Sequence, residues 1–178
     1  MKTKIGILGL GGVGGYFGGL LAKAYFDSDA IEIVFIARGD TKKAIAENGL
    51  KIILDDSEMI VFPKLLSDDP EKIGKLDYLI CATKTYDIET SLESIKNSIT
   101  SKTTLLPLYN GVDATERLLK LFPENNVLQG CVYIVSMITS PGVIRKIGPY
   151  EKLYFGSKNI SDTTAKELQT IFEKAKIE

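Results

Sequence analysis

The 178-residue chain contains no histidine and only two cysteines, and both scarcities narrow its chemistry. Without histidine, the commonest general base, the usual zinc ligand and every Ser-His or Cys-His nucleophile are missing from these residues. Cys81 and Cys131 stand in separate apolar runs with no partner at metal-ligand spacing. Both are expected to be reduced core thiols of a cytoplasmic chain. A basic patch is lacking too: net charge is −1 and the lysines and arginines are scattered. That excludes an electrostatic footprint for nucleic acid or acidic lipid. What remains is ordinary for one soluble domain, or a domain with a short appendage: 44% apolar and 25% charged residues.

The chain also lacks an apolar run of ordinary composition. Residues 5–22 carry no charge, but eight of these eighteen are glycine, which buries little and costs about 1 kcal/mol per residue in a helix relative to alanine. A membrane-spanning helix wants about twenty predominantly apolar residues. The G-x-x-x-G spacings Gly11/Gly15, Gly14/Gly18 and Gly15/Gly19 resemble a membrane dimer face, and Ala22-Lys23-Ala24 imitates an export cleavage site. Yet a signal peptide has a compact apolar centre without three glycines at fixed offsets. The third reading is Gly9-x-Gly11-x-x-Gly14, the fingerprint of a loop that holds a dinucleotide's phosphates.

Period and punctuation support the third reading. Residues 4–8 form a short apolar run, and Val13 to Tyr25 carries apolar residues at helical spacing. Residues 31–38 (IEIVFIAR) read as a second strand and 41–49 as a short helix with Gly49 as its stop. Two β-prone runs flanking Asp55-Asp56-Ser57 predict an inserted hairpin. Further strands are expected at 76–83 and 103–108, each followed by a helix. These helices run over about 86–99 and from an Asp113-x-x-Glu116 capping box to about Leu121. After 126 comes a strand pair turning at Ser140-Pro141-Gly142, with VIRKIG and KLYFG beyond it, then an amphipathic helix from Ser161. The alternation predicts an α/β fold of Rossmann type, a doubly wound, mainly parallel sheet with an inserted hairpin and antiparallel strands near the end.

Each fingerprint glycine has a physical task. Gly9 permits the tight turn, Gly11 lets backbone approach the pyrophosphate, and Gly14 lets the helix pack close to the strand. Leu10, Gly12 and Val13 complete the loop, whose helix-start amides stabilise the anion. NAD-preferring folds place Asp or Glu at the end of the second strand. Here the strand ends at Arg38, whose planar donor fork suits a 2′-phosphate and so NADP(H). Asp40 competes as a ribose contact. Lys84, at the next strand end, offers an ammonium to the cofactor or is plain soluble surface. Asn110-Gly111 is first a turn dipeptide, and equally a carboxamide able to bond a nicotinamide and a substrate oxygen.

Gly9-Leu-Gly-Gly-Val-Gly14, Ala37-Arg38-Gly39 leading to AIAENGLKI, ATKTYD around Lys84, YNGV around Asn110 and SPGVIRKIG at 140–148 together resemble the N-terminal domain of the ketopantoate reductase (2-dehydropantoate 2-reductase) family. That resemblance implies reduction of a 2-keto acid by NADPH, in pantothenate biosynthesis. It implies that the glycine loop holds pyrophosphate, Arg38 the 2′-phosphate, Lys84 the cofactor, and Asn110 both cofactor and substrate. It also implies an NADP-binding domain over 1–160 and, over 161–178, a helix leading toward a helical substrate domain. The family's proton-donating lysine belongs to that further domain, and none of Lys166, Lys174 or Lys176 takes its role. The chain alone is therefore expected to bind NADP(H) and turn over poorly or not at all, to involve no nucleic acid or membrane, and to self-associate through uncovered apolar surface. Two rival readings are a nucleotide-sensing module and a related dehydrogenase acting on another keto acid or imine.

Overall fold

The computed structural model describes residues 2–111, 113–157 and 163–177. The first half alternates as β1 (Thr3–Leu8), α1 (Gly12–Ala24), β2 (Ile31–Ile36) and α2 (Gly39–Asn48). A hairpin of β3 (Leu50–Ile53) and β4 (Glu58–Val61) follows, then β5 (Leu65–Ser67), the short α3 (Pro70–Ile73) and β6 (Tyr78–Cys81). The chain continues with α4 (Ile88–Ser94), β7 (Thr104–Pro107) and α5 (Ala114–Leu121). It ends with the long pair β8 (Gln129–Ser140) and β9 (Val143–Gly156) and with α6 (Thr163–Lys174).

Among the described residues the strands make two sheets. The first is parallel throughout, in the order β5-β2-β1-β6-β7, with Ile7 opposite both Phe35 and Ile80. Its inner strands are apolar on both faces because both are covered. Ile5, Ile7, Ile33, Phe35 and Ile80 pack toward α1, whereas Val34, Ile36, Leu79 and Cys81 pack toward α4 and α5. The chain runs outward from β1 through β2 to β5, then returns to build β6 and β7 on the other side. That reversal beside β1 leaves a crevice at the carboxyl ends of the strands.

The inserted hairpin and the C-terminal pair, expected as separate features, are one mixed sheet in the order β4-β3-β9-β8. Residues Lys51–Ile53 of β3 run parallel to Val143–Arg145 of β9. Helix α1 lies between the two sheets, and its glycines make this possible. A Cβ on Gly18 would sit 2.9 Å from Ile7 of the parallel sheet, and one on Gly15 2.8 Å from Ile144 of the mixed sheet. The Gly14/Gly18 and Gly15/Gly19 spacings are thus two sheet contacts rather than a membrane face. Among the described residues no helix is long and apolar enough to cross a membrane.

Several local expectations are corrected. The helix over 86–99 is broken: a 3₁₀ turn at Thr85–Asp87 precedes α4 and another follows at Lys96–Ser98. Its last turns tighten through Ile95 N to Leu92 O and Ser98 N to Ile95 O, which keeps Ile95 and Ser98 buried. Asp113 forms no capping box, because it takes a helical conformation and its carboxylate lies 3.9 Å from Arg117 instead. VIRKIG and KLYFG are parts of one strand, β9. Cys131 is exposed, because it lies on the outward face of β8, while Cys81 is a core thiol as expected. The expected domain boundary at 160/161 and the helix start at Ser161 lie outside the described residues. Helix α6 packs back onto the domain, with Phe172 against Phe155 at 5.3 Å and the Tyr25 hydroxyl donating to Ile171 O at 2.9 Å.

Candidate dinucleotide-binding cleft

Gly9 leaves β1 with φ +92°, a left-handed turn where a Cβ would stand 2.7 Å from Thr83 N. Gly11, in extended conformation, is the N-cap of α1, and among the described residues no side chain caps that end. The first intrahelical bond runs from Gly15 N to Gly11 O at 2.7 Å, so the amides of Gly12, Val13 and Gly14 precede it and carry the positive end of the helix dipole.

The space around these glycines is uneven. A Cβ on Gly12 would collide with the Ser136 carbonyl, and one on Gly14 with the Gly9 carbonyl. A Cβ on Gly11, by contrast, would meet no described atom within 4 Å. The loop is therefore tight against the protein at Gly12 and Gly14 and open at Gly11. Ser136 fixes the outer wall by donating from Oγ to Gly12 O at 2.7 Å.

The opening leads into a cleft of about 400 Å³ at the carboxyl ends of the parallel strands. Gly9, Leu10, Gly11, Gly12 and Val13 line one wall, and Arg38, Lys84 and Asn110 also line it. Gly14 lies behind the wall, where it allows α1 to approach Gly9 and Ala82. Arg38 is the extended N-cap of α2. Asp40, its competitor, is on the first turn of α2 and is not among the described residues lining the cleft. Asn110 follows β7, and its carbonyl accepts from Thr85 Oγ1 at 3.4 Å. Gly111 has φ +109°, as the turn reading of Asn110-Gly111 expects, and Asn110 is among the residues lining the cleft.

A polar network lies beneath Lys84 and Asn110. The Tyr109 hydroxyl is 3.2 Å from Thr83 Oγ1, which is 3.3 Å from Ser91 Oγ. Burial pushes the Tyr109 phenol well up, and the neighbouring Cys81 adds to the effect. Burial likewise pushes the Cys81 thiol up. These residues were not singled out from sequence as site residues, although Thr83 and Tyr109 lie inside the ATKTYD and YNGV motifs. Ser136 and Asp68 also line the cleft. Ser136 carries no local signal, while Asp68 stands in Ser67-Asp-Asp-Pro70, the cap and proline start of α3. Among the described residues no cluster of His, Cys, Asp and Glu has metal-binding geometry.

A glycine cradle at the reversal point of a doubly wound parallel sheet defines a dinucleotide-binding α/β domain. Residues 5–159 match the family model described as ketopantoate reductase PanE/ApbA. The chain belongs to that family, with the fold of its Rossmann-like N-terminal domain. It is similar to a solved 2-dehydropantoate 2-reductase from Porphyromonas gingivalis W83, with TM-score 0.92 and 36% identity, covering 99% of this chain and 63% of that one. A 2-dehydropantoate 2-reductase of Pyrococcus abyssi is 32% identical over 145 residues, 82% of this chain and 45% of the relative. An uncharacterized oxidoreductase of Bacillus subtilis, YkpB, is 29% identical over 156 residues, 88% of this chain and 49% of the relative. The chain spans about half the length of these curated relatives.

Proposed function

We propose that this chain is the NADP(H)-binding domain of a cytoplasmic reductase that converts a 2-keto acid, 2-dehydropantoate, to its 2-hydroxy acid, pantoate. The observation that carries the reading is the convergence of four distant segments, Gly9–Val13, Arg38, Lys84 and Asn110, on one cleft. Family membership supports it, as does the fit of the uncapped α1 terminus and the open space at Gly11 to a pyrophosphate. When bound, NADPH supplies the hydride that reduces the keto carbon.

In this reading the amides of Gly12 and Val13 hold the pyrophosphate, and Arg38 pairs with the 2′-phosphate through its donor fork. Lys84 neutralises cofactor charge. Asn110 orients the nicotinamide and the substrate oxygen. The proton for the forming alkoxide is assigned to no residue of this chain: Lys84 is the one lysine among the described residues lining the cleft, and it serves the cofactor. The partners of the chain are then the keto acid, a helical substrate-binding domain, and a second copy through the outward face of β8, where Tyr133, Val135 and Met137 are exposed. Concentration-dependent light scattering tests that last contact.

Titration of the chain with NADPH and NADH tests the cofactor reading. Saturable binding that is tighter for NADPH is expected, and Arg38→Ala is expected to weaken NADPH by about tenfold or more while sparing NADH. Tighter NADH binding, or an unchanged NADPH affinity in the variant, overturns the 2′-phosphate assignment.

A further inference from the structure

The edge strand β5 brings an anion to the cleft that Arg38 also lines. β5 pairs in parallel with β2, Ile36 lying opposite Ser67. Asp68 therefore follows the last pair on one strand just as Ala37 and Arg38 do on the other. Both Arg38 and Asp68 line the cleft. A carboxylate at such a strand end is the group that accepts a ribose 2′-hydroxyl and repels a 2′-phosphate. In this chain it comes from the neighbouring strand, which is why the end of β2 alone does not reveal it.

Asp68 is not left free. Lys42, on the first turn of α2, reaches across with Nζ 2.5 Å from Asp68 Oδ1. The hydrogen bond from Lys42 holds the Asp68 carboxyl below its ordinary range, and the charges of Lys42 and Lys72 add to this. Both side chains are partly exposed, so the pair contributes little to folding. The placement of Asp68 at the cleft that Arg38 also lines matters more than the pair's strength.

We infer that the Lys42–Asp68 ion pair sets coenzyme preference, Lys42 masking the Asp68 carboxylate so that the mouth of the cleft accepts a 2′-phosphate. The inference rests on the NADP(H) reading above and extends it from Arg38 to a pair that no strand-end rule would select. Removing Lys42 exposes an acceptor suited to the 2′-hydroxyl of NADH and adverse to the extra phosphate of NADPH. Removing Asp68 as well takes that acceptor away.

The test is fluorescence titration of the full chain and of Lys42→Ala, Asp68→Asn and the double variant with NADPH and NADH, with thermal unfolding as a check that each folds. Lys42→Ala is expected to lower the ratio of NADPH to NADH affinity by about tenfold. Asp68→Asn is expected to keep or raise the ratio. The double variant should return to within about threefold of the parent, a cycle that isolates the coupling between the two residues. An unchanged ratio in Lys42→Ala overturns the inference, and so does a double variant as impaired as Lys42→Ala, because Lys42 then acts on the phosphate directly. A parent that binds neither dinucleotide overturns the NADP(H) reading itself. A parent that prefers NADPH but ignores both substitutions overturns the ion-pair inference alone.

Discussion

The Tyr16 hydroxyl donates a 2.6 Å hydrogen bond to Glu151 Oε2, across 135 residues of sequence. The same oxygen lies 2.6 Å from Nζ of Lys146, a lysine with only 10% of its side chain exposed. Tyr16 is one helical turn beyond Gly12, whose carbonyl is held by Ser136. The cradle end of α1 is therefore tied to the mixed sheet at two successive turns, once by Ser136 of β8 and once by Glu151 of β9.

Glu151→Gln is expected to lower stability at neutral pH by about 1 kcal/mol, a modest figure because the carboxylate is half-exposed. Burial pushes the Glu151 carboxyl up, but the hydrogen bonds from Lys146 and Tyr16 outweigh it and hold the group below its ordinary value. A depressed carboxyl stabilises the fold fully above its unfolded pKa of about 4.5. That contribution is lost as pH falls through the lower folded value. The gap between parent and variant, measured by urea unfolding, should therefore close as pH drops below about 4.5. A gap that widens in acid would contradict the assignment.

Gly11 and Gly14 are expected to respond differently to alanine. Gly11→Ala puts its methyl into open space, so it should cost at most about 1 kcal/mol of stability, the difference between glycine and alanine at an N-cap. It should nonetheless weaken NADPH by about tenfold, because the methyl occupies the approach to the amides. Gly14→Ala drives its methyl into the Gly9 carbonyl and should destabilise the chain by about 1–3 kcal/mol. Thermal unfolding beside NADPH titration separates the two effects. Equal stability losses would mean that the cradle relaxes as a unit.

These contrasts show which parts of the molecule were legible in the sequence. The parallel strands were, because burial on both faces demands unbroken apolar runs such as those ending at Leu8 and Ile36. The position of Arg38 at the cleft was legible as well, since a strand end is a local position. The union of β3 with β9 was not, because parallel pairing of Lys51 with Val143 leaves no mark in either segment. The position of Asp68 at the cleft was not, because β5 is three residues long and brings Asp68 there only by pairing with β2. The exposure of Cys131 was hidden for a related reason: Cys131, Tyr133, Val135 and Met137 alternate with the half-buried Val132, Ile134 and Ser136 but are apolar themselves, so the period of two that marks an exposed face is masked.

The two cysteines should differ sharply in reactivity. Cys81 is fully buried and burial pushes its thiol up, both of which suppress the reactive thiolate. Cys131 is exposed on β8. A colorimetric disulfide reagent is expected to modify Cys131 alone in the native chain and both residues once denaturant is added. Modification of both at native-like rates would show that the core around Cys81 opens readily.

Thr83 and Thr85 flank Lys84, and each is bonded to the segment that carries Asn110, Thr83 through the Tyr109 hydroxyl at 3.2 Å and Thr85 through the Asn110 carbonyl at 3.4 Å. The ends of β6 and β7 are thereby held at a fixed separation beneath the cleft. Tyr109→Phe keeps the ring and its packing but removes the hydroxyl. The loss of one neutral hydrogen bond should cost about 1 kcal/mol, which lowers the melting temperature by about 2–4 °C for a chain of this size. If Lys84 and Asn110 hold one ligand between them, NADPH affinity should also fall by several-fold in molecules that remain folded. Thr85→Val cuts the weaker, exposed bond and should change both quantities less. A Tyr109→Phe chain that melts lower yet binds NADPH as the parent does would confine the Thr83–Tyr109 bond to stability and remove it from the site.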